Sequence, residues 1–191
     1  MPSQKSKAKS FRSLHMPGTP LILFNAWDAG SAKAVSAGGA KAIATGSWSV
    51  AKANGFDDGE DLPLDLAIAN LARIVKATDL PVTIDLESGY GKTPKDVAKT
   101  VRRSIVAGAI GCNLEDSHPS SGKLRAVADQ AKRIAAARKA ADAIGVSYFI
   151  NGRTDVFFQK PAKDHDAAMV DRKSTRLNSS HVSESRMPSS A

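Results

Sequence analysis

Five times along the chain, a short apolar run ends in polar residues and gives way to a segment with helical spacing. LILFN (21–25), AIATG (42–46), VTIDLE (82–87), AIGCNLE (109–115) and SYFINGR (147–153) have the length and β-branched content of buried strands. Between them, helical spacing predicts Ala29–Ala37, ending at Gly38-Gly39, and LDLAIANLARIVKAT (64–78). It also predicts a helix from Pro94 to Gly108 and an Ala-rich one from about Leu124 to Gly145. The third of these has a clear start: Thr93 as N-cap, Pro94 in the first helical position and Asp96 three residues after the cap. A polar loop through GFDDGED (55–61) follows the second strand, and a leading helix carries His15.

Strand alternating with helix implies a parallel α/β architecture, and both a doubly wound sheet and a (β/α)₈ TIM-type barrel fit. The polar residues favour the barrel. Gly46-Ser47, Asp85 and Glu87, Glu115 and Arg153 close four successive strands, and in a barrel those ends converge on one mouth. A doubly wound sheet gathers its ligand groups at a single switch point instead. Side chains alternate along a strand, so Val82, Ile84 and Leu86 are expected to face outer helices, with Thr83, Asp85 and Glu87 facing inward. The fourth strand repeats this, with Ile110, Cys112 and Leu114 outward and Gly111, Asn113 and Glu115 inward. Three carboxylates in one partly buried place repel one another, and a hard cation such as Mg²⁺ resolves the conflict. Pairing with arginine, or capping of a helix, accounts for the acids equally well.

Composition narrows the class. The chain has 191 residues with 42% hydrophobic content, enough for a sizeable core, and no apolar run reaches the length of a membrane span. One cysteine, Cys112, and a basic N-terminus without a hydrophobic signal core point to a cytoplasmic protein. The net charge of +8 raises nucleic acid as a partner, but there is little aromatic interleaving to support it. Part of that charge also belongs to the last 21 residues. DRKSTRLNSSH (171–181) and SRMPSSA (185–191) match, in order, the translation of a common short-read sequencing adapter. We therefore expect a partial barrel over residues 1–170 and a non-native, disordered tail over 171–191. No nucleic-acid or membrane partner is expected.

NAWDAGSA (25–32), GSWSVAKANGFDDGE (46–60), IDLESGYG (84–91), GCNLEDS (111–117) and FINGRTD (149–155) occur in this order and spacing. Together they resemble the isocitrate lyase/phosphoenolpyruvate mutase superfamily. The resemblance implies a (β/α)₈ barrel that binds Mg²⁺ (or Mn²⁺) and a small 2-oxo acid or its enolate, in homodimers or homotetramers. Here about five of the eight βα units are present, so the chain alone is expected to be inactive. Position by position, Asp85 matches the direct metal ligand, while Asp58, Glu87 and Glu115 match acids that hold the metal largely through water. The family usually has Asp where this chain has Glu87. Gly46, Ser47 and Trp48 match the segment that binds the substrate carboxylate, and Arg153 matches the arginine that pairs with the substrate. Asp58 and Arg153 are thereby the implied catalytic residues.

After Glu115, isocitrate and methylisocitrate lyases carry a Lys-Lys-Cys-Gly-His type sequence with a catalytic cysteine, and phosphonate mutases carry an asparagine. This chain reads SHPSSGKL (117–124), with neither. The resemblance therefore implies C–C cleavage or decarboxylation of an oxaloacetate-like acid, with phosphonomutase or methylisocitrate lyase chemistry as the alternative. GKT (91–93) lacks the upstream glycine of a phosphate loop, since Leu86 stands there. Cys112, Trp27 and His15 are expected to be packing residues, Trp48 either lines the pocket or packs beneath it, and His118 is within reach of the mouth.

Overall fold

A computed structural model of the chain describes residues 2–156. The expected tail at 171–191 and the domain boundary at 170 lie outside the described residues. Five strands, β1 (Phe24–Ala26), β2 (Ile43–Thr45), β3 (Val82–Asp85), β4 (Gly111–Glu115) and β5 (Phe149–Arg153), form one sheet in the order β1-β2-β3-β4-β5. Every neighbouring pair is parallel. Sequential order with no reversal is the progression of a barrel, and the described residues hold five of its strands and the helices that follow the first four. The sheet is the expected one, but β1 is shorter than predicted: Leu21, Ile22 and Leu23 precede it.

Among the described residues, six helices accompany the sheet: α1 (Gln4–Ser13), α2 (Ala29–Ala37), α3 (Ser47–Ala53), α4 (Leu64–Ala77), α5 (Pro94–Val106) and α6 (Val127–Ile144). α2 begins at Asp28, whose carboxylate accepts from the Ser31 amide while the Ser31 hydroxyl accepts from the Asp28 amide. Thr93 and Asp96 make the same reciprocal cap on α5. Each cap satisfies amide groups that have no partner within the helix. α3 corrects the sequence reading, which left a loop after β2. Its N-cap is Gly46, with no side-chain cap bond, so the usual start signal is missing.

The core lies between the sheet and the helices. Ile43, Ile84, Ile110, Cys112 and Leu114 pack against Leu71 and Ile74 of α4, Val101 and Ile105 of α5, and Ile134 and Ala137 of α6, all essentially buried. Ile84, Ile110, Cys112 and Leu114 are among the residues expected to face outward. β4 and β5 approach closely at Gly111, where an added Cβ would sit 2.8 Å from the Phe149 carbonyl oxygen. The lone Cys112 is fully buried, and its thiol is pushed up to about 12 by that burial, which fits a packing role.

α1 crosses the opposite end of the sheet from the mouth. The Gln4 amide donates to the carbonyls of Ile105 and Ala109 at 2.7 and 2.8 Å, just before β4 begins. Lys7 donates to the Thr78 carbonyl ahead of β3, and Phe11 meets Phe149 edge-on at the start of β5, 5.3 Å between centroids. His15, expected on the leading helix, lies just beyond its end at Ser13 and stacks on the same Phe149 at 4.3 Å, in the structural role expected of it. Trp27, expected in the core, is instead 45% exposed. Among the described residues, no helix is long and apolar enough to cross a membrane.

Candidate active site

At the C-terminal ends of the strands, an open cleft of about 540 Å³ is lined by Asp58, Glu87, Glu115, His118, Arg153 and Asp155, among others. Asp85 lines a small adjoining pocket with Thr45, Ser47 and Tyr90. The structure thus brings Asp58, Asp85, Glu87, Glu115 and Arg153 to one mouth. His118 joins them in the cleft lining. Gly46 and Ser47 stand beside Asp85, at the start of α3, whereas Trp48 is 61% exposed and lines neither space.

Asp85 ends β3. Its backbone amide donates to the Thr45 hydroxyl on β2 at 3.0 Å, and its carboxylate accepts from the amides of Glu87 at 3.1 Å and Ser47 at 3.5 Å. Burial nonetheless raises its pKa above the usual carboxylate range, and nearby Asp58 adds to the rise while Arg153 opposes it.

Glu87 departs from the sequence expectation. β3 stops at Asp85, and Glu87 takes a left-handed backbone, φ 50°, so strand alternation no longer sets its direction. Its carboxylate accepts from the amides of Gly59 and Glu60 at 2.9 and 2.7 Å and from the Tyr90 hydroxyl at 3.0 Å. The contact is returned: the Glu60 carboxylate accepts from the Ser88 hydroxyl at 2.7 Å and from the Tyr90 amide at 2.8 Å. Glu60, Glu87 and Tyr90 are the three non-glycine residues with positive φ among the described residues. That conformation costs roughly 1–2 kcal/mol per residue, which these bonds offset. Burial is the main cause that lifts the Glu87 pKa to about 7.

On β4 and beyond, Arg153 bridges two acids, with Glu115 at 3.0 Å and Asp155 at 2.8 Å. Asp155 also accepts from the Ser117 hydroxyl at 2.6 Å, and its amide donates to buried Asp116 at 2.8 Å. Burial, then a hydrogen bond with Asp155, raises the Glu115 pKa. Burial pushes Asp155 up as well, but Ser117, Glu115 and Arg153 together outweigh it and hold the group below the usual value.

Several of these residues escaped the sequence reading. Glu60 and Tyr90 act across more than 25 residues of chain, with no local pattern to announce them. Buried Arg133 on α6 donates to the carbonyls of Ser88, Gly91 and Lys92 at 2.7, 2.8 and 3.3 Å, underpinning the turn after β3. It sits in an Ala-rich helix that gave no sign of it. Asp155 did leave a signal, two residues beyond Arg153 in a charged run at a strand end.

Whether these groups fit a divalent cation depends on donor chemistry. All are hard carboxylate oxygens, and Asp85 is desolvated and crowded by like charge, which a cation relieves. Among the described residues, no three His, Cys, Asp or Glu side chains form a ready metal cage.

Residues 11–176 match the family model described as phosphoenolpyruvate phosphomutase. The chain belongs to the phosphoenolpyruvate mutase/isocitrate lyase superfamily. A superfamily structure from Burkholderia cenocepacia J2315, provisionally named a phosphonomutase, is 57% identical, with a TM-score of 0.87 over 92% of this chain and 72% of that one. A Mycobacterium tuberculosis (strain CDC 1551 / Oshkosh) protein, named only as uncharacterized, is 35% identical over 155 residues, 81% of this chain and 56% of that protein. The 2-methylisocitrate lyase of Escherichia coli (strain K12) is 30% identical over 115 residues, 60% of this chain and 39% of the enzyme. The chain therefore spans about half the length, or less, of these curated relatives.

Proposed function

We propose that this sequence belongs to a Mg²⁺-dependent (or Mn²⁺-dependent) enzyme that cleaves a C–C bond in a small, oxaloacetate-like 2-oxo acid. The observation that carries the reading is the single cleft where Asp58, Glu115 and Arg153 meet, with desolvated Asp85 at its side. Asp85 is the carboxylate suited to hold the metal directly, and Asp58 and Glu115 are suited to hold its waters. The metal, when bound, would supply electrophilic stabilisation of charge developing on an enolate oxygen. Arg153 supplies a planar, multi-donor cation for the substrate carboxylate, and pairing with Glu115 and Asp155 fixes its direction. The amide of Ser47, at the start of α3, adds a backbone donor beside Asp85.

The loop after β4 supports decarboxylation over retro-aldol cleavage. Its lining residues are Ser117, His118, Pro119, Ser121 and Gly122, with no thiol to protonate a leaving carbanion. Phosphonomutase chemistry is the second reading, favoured by the name of the 57% identical structure. In either case the protein is expected to work as a homo-oligomer in the cytoplasm.

The test is a substrate panel on the full-length protein, run with Mg²⁺ and with chelator. Metal-dependent release of CO₂ from oxaloacetate, abolished by Asp85→Ala, is the expected result. Efficient methylisocitrate cleavage without oxaloacetate turnover would reject the reading, as would activity that survives chelation. Interconversion of a phosphonate and a phosphate ester would select the second reading.

A further inference from the structure

We propose that Glu60 and Glu87 are a matched pair of positioning residues that latch the Asp57–Leu62 segment to the turn after β3, setting where Asp58 stands over the cleft. The inference rests on the proposed function only in giving Asp58 a part in the reaction. The latch itself is a matter of geometry.

Each glutamate holds the other's backbone neighbourhood. The Glu87 carboxylate takes the amides of Gly59 and Glu60, and the Glu60 carboxylate takes the Ser88 hydroxyl and the Tyr90 amide. The Tyr90 hydroxyl closes the ring onto Glu87 at 3.0 Å. All three non-glycine residues with left-handed backbone lie in this ring, so the strain of the region is concentrated where the two segments join. The turn side is braced from beneath by three carbonyl contacts from buried Arg133 and by Glu115, whose amide donates to the Glu87 carbonyl at 2.8 Å. The loop side has its own ties at either end, where Lys52 pairs with Asp57, the Asp57 amide donates to the Asp61 carboxylate at 3.0 Å and Leu62 is buried against Val50 and Ala51. Between them Asp58 is exposed and sits directly before the two latched amides, so the braced turn holds the middle of the loop. Gly59 also lies near the loop after β4, where an added Cβ would make ordinary contact with the Pro119 carbonyl oxygen at 3.5 Å.

Side-chain reach distinguishes this role from metal ligation. A latch needs an oxygen acceptor at the full length of Glu87, so Glu87→Gln should retain it and Glu87→Asp, one methylene shorter, should not. A carboxylate that mainly serves a cation predicts the opposite order. Hydrogen exchange of the Gly59 and Glu60 amides in the full-length protein reads the latch without reference to any substrate. Expected are at least tenfold faster exchange in Glu87→Asp and in Glu60→Ala, near-native exchange in Glu87→Gln, and unchanged protection of β2–β4 in all three. Turnover should fall in Glu87→Asp and Glu60→Ala, with kcat reduced and KM nearly constant. Unaltered exchange in both Glu87→Asp and Glu60→Ala would overturn the latch, and so would Glu87→Gln releasing the loop while Glu87→Asp keeps it. Faster exchange with full kcat would overturn the positioning of Asp58. A wild-type protein inert toward oxaloacetate, with exchange following the expected order, supports the latch and counts against the proposed substrate instead.

Discussion

The two faces of the sheet obey different rules. On the face toward the helices, Ile84, Cys112 and Leu114 are no more than 3% exposed and belong to the one large apolar core. One residue away along the same strands, Asp85, Asn113 and Glu115 are partly exposed, polar and tied to partners by directed bonds. The helix-facing side earns stability through burial, which is non-directional and tolerant of sequence so long as the volume is filled. The inner side gives up stability, since each desolvated acid there is shifted toward its neutral form. Strand alternation places chemistry within one bond-length step of structure while keeping the two physically separate.

The harshest way to break that contrast is to exchange the rules. Leu114→Asp puts an unpaired charge into the helix-facing core and should abolish cooperative unfolding in a thermal melt. Asp85→Ala makes the reverse change at the mouth. It should lower turnover by at least about 10³-fold, roughly 4 kcal/mol of transition-state stabilisation, while the melting temperature stays level or rises. Measuring both quantities on the same preparation checks it. A large drop in stability would mean that Asp85 is structural.

A gentler test uses pH. The raised pKa of Glu87, about 7, and the raised values of Asp85 and Glu115 mean that the folded state favours their protonated forms more than the unfolded chain does. The stabilisation is therefore full below the ordinary carboxylate range and is lost as pH climbs through about 7. Melting temperature in chelator should fall between pH 6 and pH 8, and Mg²⁺ should reduce that fall. The smallest effect belongs to Asn113→Ala, which removes a hydrogen bond from Asn151 at 2.9 Å on the inner face. It should cost about 1 kcal/mol or less in urea unfolding, against about 2–5 kcal/mol for Leu114→Ala next to it.

What the sequence made legible follows the same division. The helix-facing pattern could be read because burial repeats with the period of the element, so the five strands and α2, α4, α5 and α6 were found. The ends of α2 and α5 were sharp because Asp28 and Thr93 write their caps locally. α3 was missed because its cap is a glycine and its seven residues are too few to establish a period. At the mouth, Asp85, Glu115 and Arg153 were legible as acids and a base at strand ends. Glu87 was legible as a residue of the mouth, which it lines, but the left-handed backbone that places it there was not, because it lies beyond the end of the strand. Glu60, Tyr90 and Arg133 meet their partners only after the chain has folded, and no local spacing encodes such a meeting.

The placement of α1 has a practical consequence. Because Gln4, Lys7 and Phe11 fasten it to the ends of the sheet remote from the cleft, whatever is joined ahead of Ser3 leaves from the far side of the molecule. A tether or surface-capture handle placed there would hold the protein with its mouth toward the solvent. Immobilised in that way, it could be washed through successive metals and 2-oxo acids without the support obstructing entry.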